Sequence, residues 1–110
     1  SVVSPPLKIL DKIFLAAEKA APNEMCGLLL RNGDFIECEN LADDKKNSFK
    51  IDSKIVVKYQ LNSLIKYIVH SHYMSDCKPS QHDIDCCNAQ RIPYMIVSYP
   101  QKEVFILEPA

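Results

Sequence analysis

The 110-residue sequence predicts a single α/β domain. Two observations carry that prediction. Apolar residues recur at helical spacing in some stretches and as short β-branched runs in others, and the two patterns alternate along the chain. No internal repeat, low-complexity stretch or linker interrupts them, and the length suits one core that needs neither metal nor disulfides to form.

The elements follow in order. Ser4-Pro5-Pro6 offers a helix cap followed by prolines that a first turn tolerates. Leu7, Leu10, Phe14, Ala17 and Ala21 then recur at helical spacing until Pro22 stops the run. "MCGLLLRNGDFIECEN" reads as a β-hairpin, with Asn32-Gly33 as a type I′ turn because both residues tolerate positive φ. The polar loop "ADDKKNS" leads into "FKI", a short strand by its composition. Asp52 or Ser53 can cap a helix through "KIVVKYQL". "LIKYIV" is a β-branched strand that runs straight into His70. A helix beginning between Ser80 and Asp83 covers "DIDCCNAQ", and "YMIVSY" and "EVFIL" close the chain as strands.

Composition narrows the function classes. Hydrophobic content of 47% and charged content of 25% are ordinary for a globular chain. A formal net charge of −1 gives no reason to expect nucleic acid or a membrane surface as partner. No apolar run approaches the roughly 18 residues that a membrane span requires, and no signal-peptide pattern opens the chain. The first residue is Ser1, as in a processed or excised chain. Five cysteines, with no CxxC and with Cys86 and Cys87 adjacent, fit reduced thiols in a cytoplasmic setting better than a disulfide framework.

The chemistry concentrates in "VHSHYMSDCKPSQHD", which holds all three histidines of the chain. If the strand continues through His72, His70 and His72 point to one side and Ser71 to the other. Two imidazoles at a strand end can share a metal ion, with Asp83 returned by the following loop as a third ligand. Catalytic zinc takes three protein ligands and lowers the pKa of water at its fourth position to roughly 7. Glu24, just before the first strand, is a candidate general base.

Each residue also has a plainer reading. HxH alone is weak, and Ser80-Gln81-His82-Asp83 matches a helix capping box without any metal. Glu24 is one acidic residue among fourteen. Cys26 beside "GLLL" reads as core rather than nucleophile. Cys77 lies close enough in sequence to be a spurious ligand, and His82 is expected to point elsewhere.

Taken together, Glu24 and the string H-x-H-x7-S-x2-D formed by His70, His72, Ser80 and Asp83 resemble the JAMM (MPN+) metalloprotease motif. "PNEMCGLLL" resembles that family's segment around its glutamate, and "IVHSH" its metal-bearing strand. The likeness runs from about Leu7 to Pro109. Within the family the chain is similar to the amino-terminal half of K-type tail assembly proteins of lambda-like phages, on "APNEMCGLLL", "CEN", "FKID" and "IPYMIVSYPQKEVFILEP". One position departs from the pattern: Tyr73 stands where the family commonly has proline, which leaves the exit from the strand less stiff.

The resemblance implies a cytidine-deaminase-like fold, a mixed β-sheet flanked by helices, occupying residues 1–110. In the phage proteins an NlpC/P60 cysteine peptidase domain follows, and it would begin where this chain ends. It further implies one Zn²⁺ held by His70, His72 and Asp83, with Glu24 moving the proton. Ser80 would steady the oxyanion, a contact worth roughly 3 to 4 kcal/mol in other enzymes. The expected partner is a protein or peptide substrate, cut at a peptide or isopeptide bond, together with other tail proteins of a phage. The expected place is the host cytoplasm or the virion tail. Residues 84–110 are filled by a helix and two strands, which leaves no room for a second insertion of the kind that grips ubiquitin chains. Three readings stand: a zinc peptidase of tail assembly, a bacterial enzyme trimming conjugates of ubiquitin-like sulfur carriers, and a non-catalytic scaffold. The last is disfavoured because no ligand is missing.

Overall fold

Leu7–Ala20 forms the first helix, α1, in a computed structural model that describes residues 7–110. The expected Ser4-Pro5-Pro6 cap lies outside the described residues. Ile13, Ala16 and Ala17 are buried at helical spacing, so the amphipathic pattern reads out as one packed face.

Two strands follow, β1 at Cys26–Leu30 and β2 at Phe35–Cys38, paired antiparallel as expected for the hairpin. The turn between them differs from expectation. Gly33 N donates to Leu30 O at 3.0 Å, and Leu30 N donates to Asp34 O at 2.8 Å. Gly33 has φ +97°, whereas Asn32 is not among the positive-φ residues. The connection is therefore a type I turn completed by a glycine bulge, not a type I′ turn. Asn32 serves through its side chain, whose Oδ1 accepts from Asp34 N at 2.9 Å. Gly27 is required for another reason: a Cβ there would come within 2.5 Å of Ile36 O and 2.8 Å of the Phe35 ring.

The "FKI" segment is not a strand. Residues 49–51 have no regular secondary structure and lie outside the sheet. Asn40 takes the place of a ladder partner: its Oδ1 accepts from Lys50 N at 3.1 Å and its Nδ2 donates to Ser48 O at 3.0 Å. Leu41 N adds a bond to Lys50 O at 2.8 Å. One asparagine side chain thus satisfies the backbone on both sides of Phe49.

Helix α2 spans Ser53–Gln60, and Asp52 caps it by accepting from Lys54 N at 3.0 Å. Strand β3 runs from Ile65 to Tyr73, helix α3 from Gln81 to Gln90, β4 from Tyr94 to Tyr99 and β5 from Val104 to Leu107. The sheet order is β2-β1-β3-β4-β5, antiparallel except for β3 and β4, which α3 joins as a parallel crossover.

Alternation along the strands divides the core in two. Met25, Leu29, Tyr67, Val69, Met95 and Val97 face α1. Cys26, Leu28, Ile68, Tyr94 and Ile96 face the opposite way, with Cys87 of α3 and with Ile55, Val56 and Tyr59 of α2 packed against them. The mixed sheet is covered on both faces. Among the described residues, no helix is long and apolar enough to cross a membrane.

Candidate metal centre

The strand β3 continues through His72, so His70 and His72 leave it on the same face while Ser71 leaves it on the other. The loop after Tyr73 returns the chain to Ser80, where α3 begins. Ser80 Oγ accepts from Asp83 N at 3.1 Å, and Asp83 Oδ2 accepts from Ser80 N at 2.9 Å. The capping box read from the sequence is real. It turns the Asp83 carboxylate back toward the strand end. Asp83 Oδ1 lies 3.1 Å from His70 Nε2, and Oδ2 lies 3.3 Å from His72 Nε2.

These three residues can hold a metal ion, since one ligand atom from each falls within 4.8 Å of the others. A metal fits this donor set better than a direct His–Asp pairing does. His70 is fully buried, yet neither of its ring nitrogens has a hydrogen-bond partner among the described residues. Its Nε2 lies near the Asp83 carboxylate without a hydrogen bond to it, which leaves that nitrogen available to a metal. His72 has the outer support usual for a ligand: Nδ1 sits 2.9 Å from Asp76 O, which leaves Nε2 to face Asp83.

The electrostatics follow from burial and crowding. Burial lowers the His70 pKa and outweighs the upward pull of Asp83. Burial also works downward on His72, but Asp83, the Asp76 carbonyl and Glu24 together raise it. For Asp83, burial acts upward and loses to the two histidines and the Ser80 N–H, which hold it well below the usual carboxylate range. It therefore remains an anion, as a ligand must.

Glu24 is only 7% exposed, and burial pushes its pKa up to about 8, with His72 pulling the other way. A cleft of about 290 Å³ is lined by Glu24, His72, Tyr73 and Ser80, together with Lys46, Asn47 and Ser75. Glu24, far in sequence from His72 and Ser80, thus shares one opening with them. Asp83 also borders a larger groove of about 510 Å³, walled by Phe49, Ile51, Val56, Cys86 and Tyr94.

The residues set aside in the sequence stay aside. Cys26 is fully buried, and burial pushes its thiol up to about 12, which suits packing and not attack. Cys77 packs against the core and is not in the ligand group. His82 lies against Cys86, whose Sγ is 3.5 Å from Nε2. Tyr73, at the proline position, is the last residue of β3, and Met74 turns the chain with φ +59°. No disulfide forms among the described residues.

Four residues around the site were not assigned a role from the sequence. Phe49 stacks on the His70 ring with centroids 4.4 Å apart, and Tyr94 meets that ring edge-on at 5.6 Å. Asn40 Nδ2 donates to Glu24 O at 3.1 Å, and Ser71 Oγ accepts from Met25 N at 2.7 Å. "CEN" and "FKID" contain two of them, but nothing in their local pattern indicates that they meet Glu24 and His70.

Comparison with known proteins agrees with this geometry. The sequence matches the family described as prokaryotic homologs of the JAB domain over residues 6–107. It is 27% identical over 105 residues to the tail tip assembly protein K of Escherichia phage N15, covering 93% of this chain and 43% of that protein. The chain therefore spans less than half the length of that relative. A solved structure from Desulfitobacterium hafniense superposes with a TM-score of 0.69 at 25% identity, over 94% of this chain and 88% of the other. A JAB1/MPN domain protein from Archaeoglobus fulgidus has the same fold, with a TM-score of 0.58 at 21% identity over 93% of this chain and 94% of its own.

Proposed function

Because the chain belongs to the prokaryotic homologs of the JAB domain, we propose that it is a zinc metallopeptidase that hydrolyses a peptide or isopeptide bond. The wider family includes metallo-isopeptidases alongside non-catalytic members. One observation favours the catalytic reading: a buried glutamate of raised pKa, Glu24, opens into the same cleft as His72 and Ser80, beside the His70 and Asp83 donors.

His70, His72 and Asp83 would hold the ion. Zinc, when bound, supplies Lewis acidity, which makes water a nucleophile near neutral pH and polarises a carbonyl. Glu24 takes the proton from the attacking water and returns it to the leaving amine. Burial raises the Glu24 pKa in the metal-free chain, and a bound cation beside it would draw that pKa back down, so that the carboxylate can take the proton and the carboxyl return it. Ser80 Oγ is an acceptor for Asp83 N, so its hydroxyl hydrogen remains free to donate to the oxyanion as the carbonyl becomes tetrahedral. Nothing further is asked of the protein than to keep these groups in place.

The biological setting we favour is phage tail assembly, with other tail proteins as partners, in the host cytoplasm or the virion. The similarity to the phage N15 protein supports this, and that protein's name speaks of tail tip assembly. The test is metal analysis of the purified chain supplied with zinc, combined with cleavage of peptide-linked and isopeptide-linked substrates. One zinc per chain and cleavage abolished by a chelator are expected. A chain that stays metal-free under zinc would overturn the proposal.

A further inference from the structure

We infer that Phe49 is a positioning residue for His70, holding its imidazole in the orientation that a metal ligand needs. The inference rests on the zinc reading above. A histidine ligand ordinarily donates its second ring N–H to a carbonyl or carboxylate, and that bond fixes the ring. His72 follows the rule through Asp76 O at 2.9 Å. His70 does not, since both of its nitrogens lack a hydrogen-bond partner among the described residues.

Its orientation has to be held by shape instead. The Phe49 ring lies nearly parallel to the imidazole, with centroids 4.4 Å apart and planes at 19°. Tyr94 closes the other direction edge-on, at 5.6 Å and 79° from His70 and at 5.8 Å and 61° from Phe49. Tyr94 is itself fixed, because its hydroxyl donates to Gln90 Oε1 at 2.8 Å. Turning the imidazole about its Cβ–Cγ bond would drive its edge into the Phe49 face. Phe49 is set in turn by the Asn40 side chain, which bonds the backbone at Ser48 and at Lys50, on either side of it. The irregular segment outside the sheet thus delivers one flat surface to one metal ligand.

The test compares Phe49→Tyr, which keeps the face, with Phe49→Leu, which keeps apolar bulk without it, and Phe49→Ala. Zinc affinity is measured by competition with a chromophoric chelator, and the His70 ring protons are followed by NMR in the zinc-free chain. Phe49→Leu should weaken zinc binding by roughly tenfold or more, the usual scale for losing an outer support of a ligand. Phe49→Tyr should bind zinc as the natural chain does. The upfield shift of the His70 ring protons should persist in Phe49→Tyr and vanish in Phe49→Leu. Zinc binding by folded Phe49→Leu as tight as that of the natural chain would overturn the positioning role and leave the metal centre standing. A natural chain that takes up no zinc would remove the metal centre, and the role of Phe49 with it.

Discussion

Met25, just before β1, and Ser71 of β3 are tied twice: Ser71 N donates to Met25 O at 2.9 Å, and Met25 N donates to Ser71 Oγ at 2.7 Å. The β1–β3 register pairs Cys26 with His70 and Gly27 with Val69. The Met25–Ser71 tie carries that register one step further and brings Glu24 alongside His72. The serine between the two histidines therefore works backwards, fixing the glutamate. Ser71→Ala should leave a buried N–H unpaired, at a cost of about 1–3 kcal/mol, and should lower turnover through Glu24 while leaving zinc content unchanged. Urea unfolding, metal analysis and peptidase assays would check this. A variant as stable as the natural chain would count against it.

Glu24 is proposed to move protons and not to hold the ion. Glu24→Gln should bind one zinc and lose activity by roughly a hundredfold to ten-thousandfold, the scale of a lost general base. Metal content and cleavage rate are read on the same sample. Loss of zinc from this variant would mean that Glu24 belongs among the ligands.

The raised Glu24 pKa also leaves a mark on stability without any substrate. A carboxyl whose pKa rises on folding keeps its proton better folded than unfolded. Its contribution is full below the ordinary value near 4.5 and is lost as the pH climbs toward about 8. In chelator, the melting temperature of the natural chain should fall relative to Glu24→Gln between about pH 5 and pH 8.5. A gap that stays constant over that range would contradict the burial of this group as a neutral acid.

Ser80 has two duties that one variant can separate. Ser80→Ala removes the acceptor for Asp83 N, so the chain should lose about 1 kcal/mol of stability. It also removes the hydroxyl offered to the oxyanion, so turnover should fall by roughly a hundredfold or more. Ser80→Thr keeps both groups and should recover both properties. Full activity in a destabilised Ser80→Ala chain would leave the cap and remove the catalytic duty.

The local signals were legible in the sequence wherever the cause is local. Apolar spacing located α1, the β-branched run located β3, and Ser80 with Asp83 marked the start of α3. The spacing of His70, His72 and Asp83 pointed to a metal set because a strand end and a helix start impose it. What stayed hidden depends on long-range partners. The "FKI" residues have strand chemistry, but Asn40 satisfies their backbone before any strand can. The Asn32-Gly33 pair marks a hairpin without choosing its turn, since one positive φ at Gly33 suffices. Phe49 and Ser71 look like ordinary core residues until the sheet brings His70 and Met25 beside them.

The capping box at the start of α3 has a consequence for how the protein would live with its metal. Asp83 gives one oxygen to Ser80 N, and Ser80 answers through its hydroxyl, so the helix start is tied down by the polypeptide alone. Small zinc modules collapse when stripped, because the ion is their fold. Here the socket would keep its shape when empty. On the zinc reading proposed above, copies without the ion would stay folded and able to take it up, so metal supply, rather than fresh synthesis, would decide how many are loaded.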